Sequence, residues 1–195
     1  MVPPPPRSAH EAPDRFSRKV HTMNRVLAGL AALPLVAASV ALGAAPAHAD
    51  DTTCHGTIGA VSLDGNVVVP EGALCKLIGT RVDGNVHVES GATLKAKGVR
   101  VGGSIQAENH ERVVVKALTG ARSHVDGSIQ LKQGGGGRIA KTDVGSDIQL
   151  FTNGGLFVVE SNHLDGNLQC KSNNPKPTGG NNVVQGNRED QCRDL

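Results

Sequence analysis

The amino-acid sequence predicts an all-β protein, a single-stranded parallel β-helix wound as a three-sided solenoid of about seven rungs with 19–20 residues each. Three observations carry this prediction. A seven-residue phrase, first met as Leu63-Asp64-Gly65-Asn66-Val67-Val68-Val69, returns at Val82, Val101, Val125, Val144 and Leu164, with a shortened copy at Val184. Successive starts lie 19, 19, 24, 19, 20 and 20 residues apart. The residues between copies repeat as well: Gly72, Cys75, Lys76, Gly79 and Arg81 meet Gly91, Leu94, Lys95, Gly98 and Arg100 at a shift of 19. Finally, apolar and polar residues alternate with period two, Gly and β-branched residues dominate, and no helical periodicity continues past the N-terminal segment. Units of this size cannot bury an apolar face alone, so they stack on one another.

In chain order, residues 1–22 are Pro-rich and polar and precede a second candidate start, Met23. Met23-Asn24-Arg25 opens an uncharged run of apolar and small residues over 26–42, which ends at Ala47-His48-Ala49. A basic start, an apolar core and a small-x-small exit describe a secretory signal peptide cleaved after Ala49. Residues 1–49 are therefore expected to be an N-terminal extension plus signal peptide, and 50–195 the solenoid domain, exported and free of the membrane after cleavage. Removing Arg7, Arg15, Arg18, Lys19, Arg25, Glu11 and Asp14 leaves 15 basic and 16 acidic residues. A near-neutral product lacks the electrostatic footprint of a nucleic-acid binder. It also lacks Trp and Tyr, so stacking platforms for bases or sugar rings are almost absent.

Within a rung, the phrase reads as strand, corner, strand. Val82, Val86 and Val88 face inward and His87 outward, with Gly84 at a bend where φ is positive or another backbone passes close. The next strand sends Ala92, Leu94, Ala96 and Val99 inward and Thr93, Lys95, Lys97 and Arg100 outward. Seven rungs spaced by about 4.8 Å make a rod roughly 30–35 Å long, and a right-handed winding is expected. The 24-residue rung carries five extra residues, assigned to the polar run Glu108-Asn109-His110-Glu111-Arg112 as a loop.

Over residues 58–170 the V-x-G-x-[VI] coils, such as Val82-Asp83-Gly84-Asn85-Val86, resemble the bactofilin repeat, a triangular solenoid. That resemblance implies the three-sided fold and, as bactofilins do, end-to-end polymerisation; the export signal and the cysteines set this chain apart, and a monomer is expected. The tail, from Pro177-Thr178-Gly179-Gly180 to Gln191-Cys192, resembles the ending of small secreted actinobacterial proteins.

Four cysteines lie in the exported part, where disulfides form by default. Cys54 and Cys75 are 21 residues apart, and Cys170 and Cys192 are 22 apart, each about one rung. Cys75 takes the inward position of Leu94, and Cys170 that of Leu150. Neighbouring rungs lie within reach of a disulfide, so the pairs Cys54–Cys75 and Cys170–Cys192 are expected to clamp the two ends. No C-x-x-C spacing suggests a metal or redox site.

Equivalent positions stack into columns, and candidate surfaces follow them. His87, Gln106, Gln130, Gln149 and Gln169 form an outward line suited to an amide ladder or to a flat polar docking face. Lys76, Lys95 and Arg138, with Lys116 beside them, form a basic stripe suited to an anionic envelope polymer. Asp64, Asp83, Asp126 and Asp165 precede the corner, and Asn66, Asn85, Ser104, Ser128, Asp147 and Asn167 follow it, as turn-forming residues do. Arg81, Arg100, His124, Asp143 and His163 share a column whose two His are too far apart, at about 10 Å, for a compact metal site.

No G-x-S-x-G elbow, phosphate loop or H-E-x-x-H pair is present, and aromatic subsites of the kind polysaccharide lyases and hydrolases use are missing. The expectation is a secreted, non-enzymatic structural or interaction protein without a cofactor. Its partner would be an envelope protein or a cell-wall polymer, with an anionic polysaccharide as the sharper alternative.

Overall fold

A computed structural model describes residues 51–195, so the signal-peptide expectation lies outside the described residues. The chain forms three parallel sheets whose strands alternate in sequence, the arrangement of a three-sided β-solenoid. Face A stacks Thr52–Thr53, Val67–Val69, Val86–Val88, Ile105–Glu108, Ile129–Lys132, Ile148–Phe151, Leu168–Lys171 and Arg188–Asp190. Face B stacks Thr57–Ile58, Leu74–Ile78, Thr93–Lys97, Arg112–Lys116, Gly136–Ala140, Phe157–Glu160 and Thr178–Gly180. Face C runs in the same order from Ser62–Leu63 to Val183–Val184. Seven turns are complete, and Arg188–Asp190 begins an eighth on face A alone.

Period-two alternation sets which side chains enter the core. Val86 and Val88, Ile105 and Ala107, Ile129 and Leu131, and Ile148 and Leu150 point inward from face A, while face C contributes Val82, Val101, Val125, Val144 and Leu164. On face B, Leu94, Ala96, Val113, Val115, Phe157 and Val159 are buried as the alternation requires. Each inward residue rests on its counterpart one rung away, which removes both from water.

The corner between faces C and A shows why the phrase is written with Gly and Asn. The side-chain oxygen of Asn66 accepts the backbone N–H of Asn85 at 2.7 Å, Asn85 that of Ser104 at 2.9 Å, and Ser104 that of Ser128 at 3.0 Å. The ladder continues through Ser128, Asp147 and Asn167 to the N–H of Asn187. These side chains tie one rung to the next instead of closing their own bend, so the turn-forming explanation is corrected for the residues that follow the corner. The corner glycines follow from the same geometry. A Cβ on Gly84 would stand 2.5 Å from the Asn66 oxygen, and Gly103, Gly127, Gly166 and Gly186 face the same obstruction. Close approach of the ladder requires them, and none has a positive φ.

The five extra residues are not at Glu108-Asn109-His110-Glu111-Arg112. Ile105 and Arg112 pair with Val86 and Thr93 without a break, and Val113 and Val115 fall on Leu94 and Ala96. The register shifts later, because Lys116 pairs with Lys97 while His124 pairs with Arg100. The segment 117–122, at the corner between faces B and C, therefore stands where the preceding rung has Gly98 alone, and it holds the five extra residues. It folds as a small antiparallel hairpin, with Leu118 and Ala121 exchanging backbone hydrogen bonds of 2.9 Å. Thr119 and Gly120, between them, have φ of 45° and 90°, as a two-residue hairpin turn requires.

Both disulfides form as the spacing predicts, with Cα separations of 5.5 Å for Cys54–Cys75 and 5.3 Å for Cys170–Cys192. Cys75 lies in register with Leu94 and Cys170 with Leu150. Cys54 leaves face A of the first rung and meets Cys75 on face B of the second, so the bond holds two sides of the terminal coil together. Terminal rungs have a neighbour on one side only and fray first. The double substitution Cys54→Ser/Cys75→Ser is expected to cost about 3 kcal/mol of unfolding free energy. Hydrogen exchange should show the loss concentrated in the first two rungs; uniform deprotection would contradict the end-clamp role.

Candidate functional site

The candidate surfaces lie on the outward positions of the three faces. On face A the expected column is in register, from His87 through Gln106, Gln130 and Gln149 to Gln169. Gln149 donates to Gln169 at 2.9 Å, Gln169 donates to Glu189 at 3.0 Å, and Gln106 reaches Gln130 at 3.5 Å. Glu189 is a member the sequence reading missed; its identity breaks the Gln pattern, although its spacing of 20 from Gln169 keeps it. The result is a flat strip of primary amides ending in a carboxylate.

Face B carries six of the eleven Lys and Arg residues that lie on the described strands. Lys76, Lys95, Lys97, Arg112, Lys116 and Arg138 project from its strands, and Glu160 is the one acidic strand residue. Lys76 pairs directly with Lys95, and Lys97 with Lys116. Arg138 belongs to the row of Lys76 and Lys95, but Val114 stands between it and Lys95. Lys116 belongs to the neighbouring row. Arg138 is ion-paired with Glu160. Like charges placed opposite one another across a sheet are destabilising by several tenths of a kcal/mol, so this arrangement is not one that folding alone favours.

Face C and its corner are instead internally balanced. Arg81 pairs with Asp83 at 2.8 Å, His124 approaches Asp126 at 2.7 Å, and Gln185 donates to Asp165 at 2.7 Å. Asp143 accepts from Arg122 at 2.6 Å and lies 3.2 Å from His163. The column of His124, Asp143 and His163 is in register as expected, with its carboxylate engaged by a guanidinium.

The sequence reading missed a set of buried polar residues at the two remaining corners. Asn153 and Asn173 are buried where face A turns into face B, and Asn162 and Asn182 where face B turns into face C. Asn153 donates to Asn173 at 2.9 Å and to the Leu131 carbonyl at 3.0 Å; Asn162 donates to Asn182 at 3.0 Å and to the Ile139 carbonyl at 2.9 Å. Each follows a residue with positive φ: Thr152, Ser172, Ser161 and Asn181. A polar-Asn dipeptide recurring every 20 residues is the signal that marks them.

His110 occupies the same corner column, two rungs before Asn153, with Asn109 in the left-handed region ahead of it. Its ring is buried, packs edge-on to Phe157 at 6.0 Å between centroids, and fills the space that a side chain on Gly134 would take. Neither ring nitrogen has a hydrogen-bond partner. Burial favours the neutral ring and lowers its pKa from 6.5 to about 4. Between those values the unfolded chain binds a proton that the folded chain does not, so stability rises with pH across that window. The contribution is complete above pH 6.5 and is lost as pH falls toward 4, a change of about 3 kcal/mol. Denaturant melts from pH 7 to pH 4 should show this slope in the wild type and a flatter one in His110→Leu. Equal slopes would mean that other groups govern the acid response.

Comparison with protein-family models, with curated proteins and with solved structures returns no match.

Proposed function

We propose that the chain is a secreted, non-enzymatic β-solenoid that acts as a structural or interaction protein at the cell envelope or in the extracellular space. The observation that carries this reading is the outward surface itself. Flat columns of like residues run the length of a stack that is hydrogen-bonded from rung to rung at its corners. A rigid rod of this kind holds its surface groups at fixed spacing without help from a ligand. The signal-like segment before Asp50 and the two disulfides support export. A second reading, binding of an anionic cell-wall polysaccharide, is favoured by the unbalanced charge of face B.

Incubation of the exported domain with isolated bacterial cell envelope, at low and high salt, tests the role. Retention is expected, and its absence at both salts would overturn the reading. Lys95→Glu separates function from folding. It places an anion opposite Lys76, so stability is expected to rise by about 0.5 kcal/mol, whereas salt-sensitive retention should weaken. A variant that loses stability and keeps full retention would show that the lysine row serves the fold.

A further inference from the structure

We propose that the hairpin of residues 117–122 and the adjoining part of face B form a binding cleft for an anionic group, carboxylate or phosphate, on a polysaccharide chain. This rests on the reading of the chain as an interaction protein and names the site and the ligand chemistry. The cleft has a volume of about 500 Å³ and is lined by Lys116, Arg138, Lys141, Glu160, Ala140 and Gly120, among others. Ala140 sits at an outward position of its strand and is nevertheless buried, as a floor beneath the overhanging hairpin would be.

The charges in the cleft do not cancel. Arg138 is held by Glu160, while Lys116 and Lys141 have no acidic partner among the described residues. Two unpaired ammonium groups and a tethered guanidinium around one recess suit a monovalent or divalent oxyanion. The wall opposite them is fixed at its base. Arg122 binds Asp143 at 2.6 Å and donates to the carbonyl oxygens of Thr142 at 3.1 Å and Ser161 at 3.0 Å, reaching across two rungs. Ser123 donates its hydroxyl to the Lys116 carbonyl at 2.8 Å. An insertion that served only as a spacer would not need four such bonds at its base.

The cleft also continues into a track. From Lys116 the next cation along the stack is Lys97, one rung away, and Lys95 and Lys76 lie in the neighbouring row. A rung step of about 4.8 Å is comparable with the length of one sugar residue. A chain anchored by one acidic group in the cleft can therefore present its following groups to these lysines. Face B offers no exposed aromatic side chain on which bases could stack, which favours a polysaccharide over a nucleic acid.

Titration calorimetry of the exported domain with polygalacturonate and with a phosphomannan tests the site and separates the two sources of anionic charge. Neutral dextran and an oligonucleotide of matched charge serve as comparisons. The polymer that carries the fitting group should bind at low salt and be released as salt rises. Lys116→Glu/Lys141→Glu should weaken binding by at least about tenfold, and Lys132→Glu/Lys171→Glu on face A by less than about twofold. Equal losses in the two variants, or equal affinity for the oligonucleotide, would overturn the assignment. Removal of residues 118–122 with Ala117→Gly restores the 19-residue spacing of the neighbouring rungs. That variant should keep the circular dichroism of the wild type and lose the polymer; if it folds and still binds, the cleft is not the site. Envelope retention of the same variant reads the broader role separately.

Discussion

Asn162→Leu is expected to destabilise the protein by about 4 kcal/mol, counting one stranded backbone N–H at about 1–3 kcal/mol and two further buried hydrogen bonds at about 1 kcal/mol each. The side chain of Asn162 is buried and has all its polar capacity in use. Its oxygen accepts the N–H of Thr142 at 3.0 Å, and its amide donates to the Ile139 carbonyl and to Asn182. Leucine has a similar volume and offers none of this. The Thr142 N–H would then stay in the interior without the partner it has now, and the Ile139 C=O and the Asn182 side chain would each lose one buried hydrogen bond. Gln149→Leu makes the comparison. Gln149 also sits in an amide ladder, donating to Gln169, but that ladder faces outward on face A and water replaces what is lost. It is expected to cost less than about 0.5 kcal/mol. Urea midpoints of the two variants should therefore separate widely. Similar shifts would mean that the corner asparagines are no more than solvated ladder members.

The contrast between these two ladders also explains what was legible in the sequence. The strands were, because each repeats an apolar–polar alternation that keeps Val86, Ile105, Ile129 and Ile148 on one another. The cysteine partners followed, since Cys75 and Cys170 occupy core positions of that alternation. At corners the rule that polar residues point outward fails. A residue in the left-handed region, such as Thr152 or Ser161, turns the backbone so that the next side chain, Asn153 or Asn162, enters the core. The corner between faces C and A misleads in a second way: Asn and Gly suit turns in general, and nothing in one copy of the phrase shows that the bond crosses to the next rung.

The insertion was misplaced for a related reason. Glu108-Asn109-His110-Glu111-Arg112 is the most polar stretch of its rung, and polarity suggested a loop. Its charged members do face solvent, but His110 belongs to the core. The true insertion contains Ala117, Leu118 and Ala121, whose small and apolar character resembles a strand. The decisive sign was alternation further on: Val113 and Val115 match Leu94 and Ala96 without any gap. The candidate surfaces were legible as columns, whereas the cleft was not, because it depends on where the hairpin leaves the stack.

Gly137→Ala is expected to cost about 3 kcal/mol or more, at the upper end of what overpacking a core does. Face B compensates size from rung to rung. Phe157 is the largest fully buried side chain, and the residue paired with it on the preceding rung is Gly137. A methyl group there would overlap the Val113 carbonyl oxygen and come within 2.7 Å of the Phe157 ring. The ring could move; the carbonyl belongs to a strand held on both sides. Relief would require the rungs to separate, which breaks hydrogen bonds along a sheet in which each strand depends on its neighbours. Phe157→Leu combined with Gly137→Ala should therefore recover less than half of the loss. The damage should also lie in the middle of the rod. Hydrogen exchange is expected to show lost protection at Val113, Val115, Ile139 and Val159, while the disulfide-clamped ends keep theirs. If the double variant regains full stability, the ring alone dictates glycine at 137 and the rung spacing is less rigid than the backbone overlap implies.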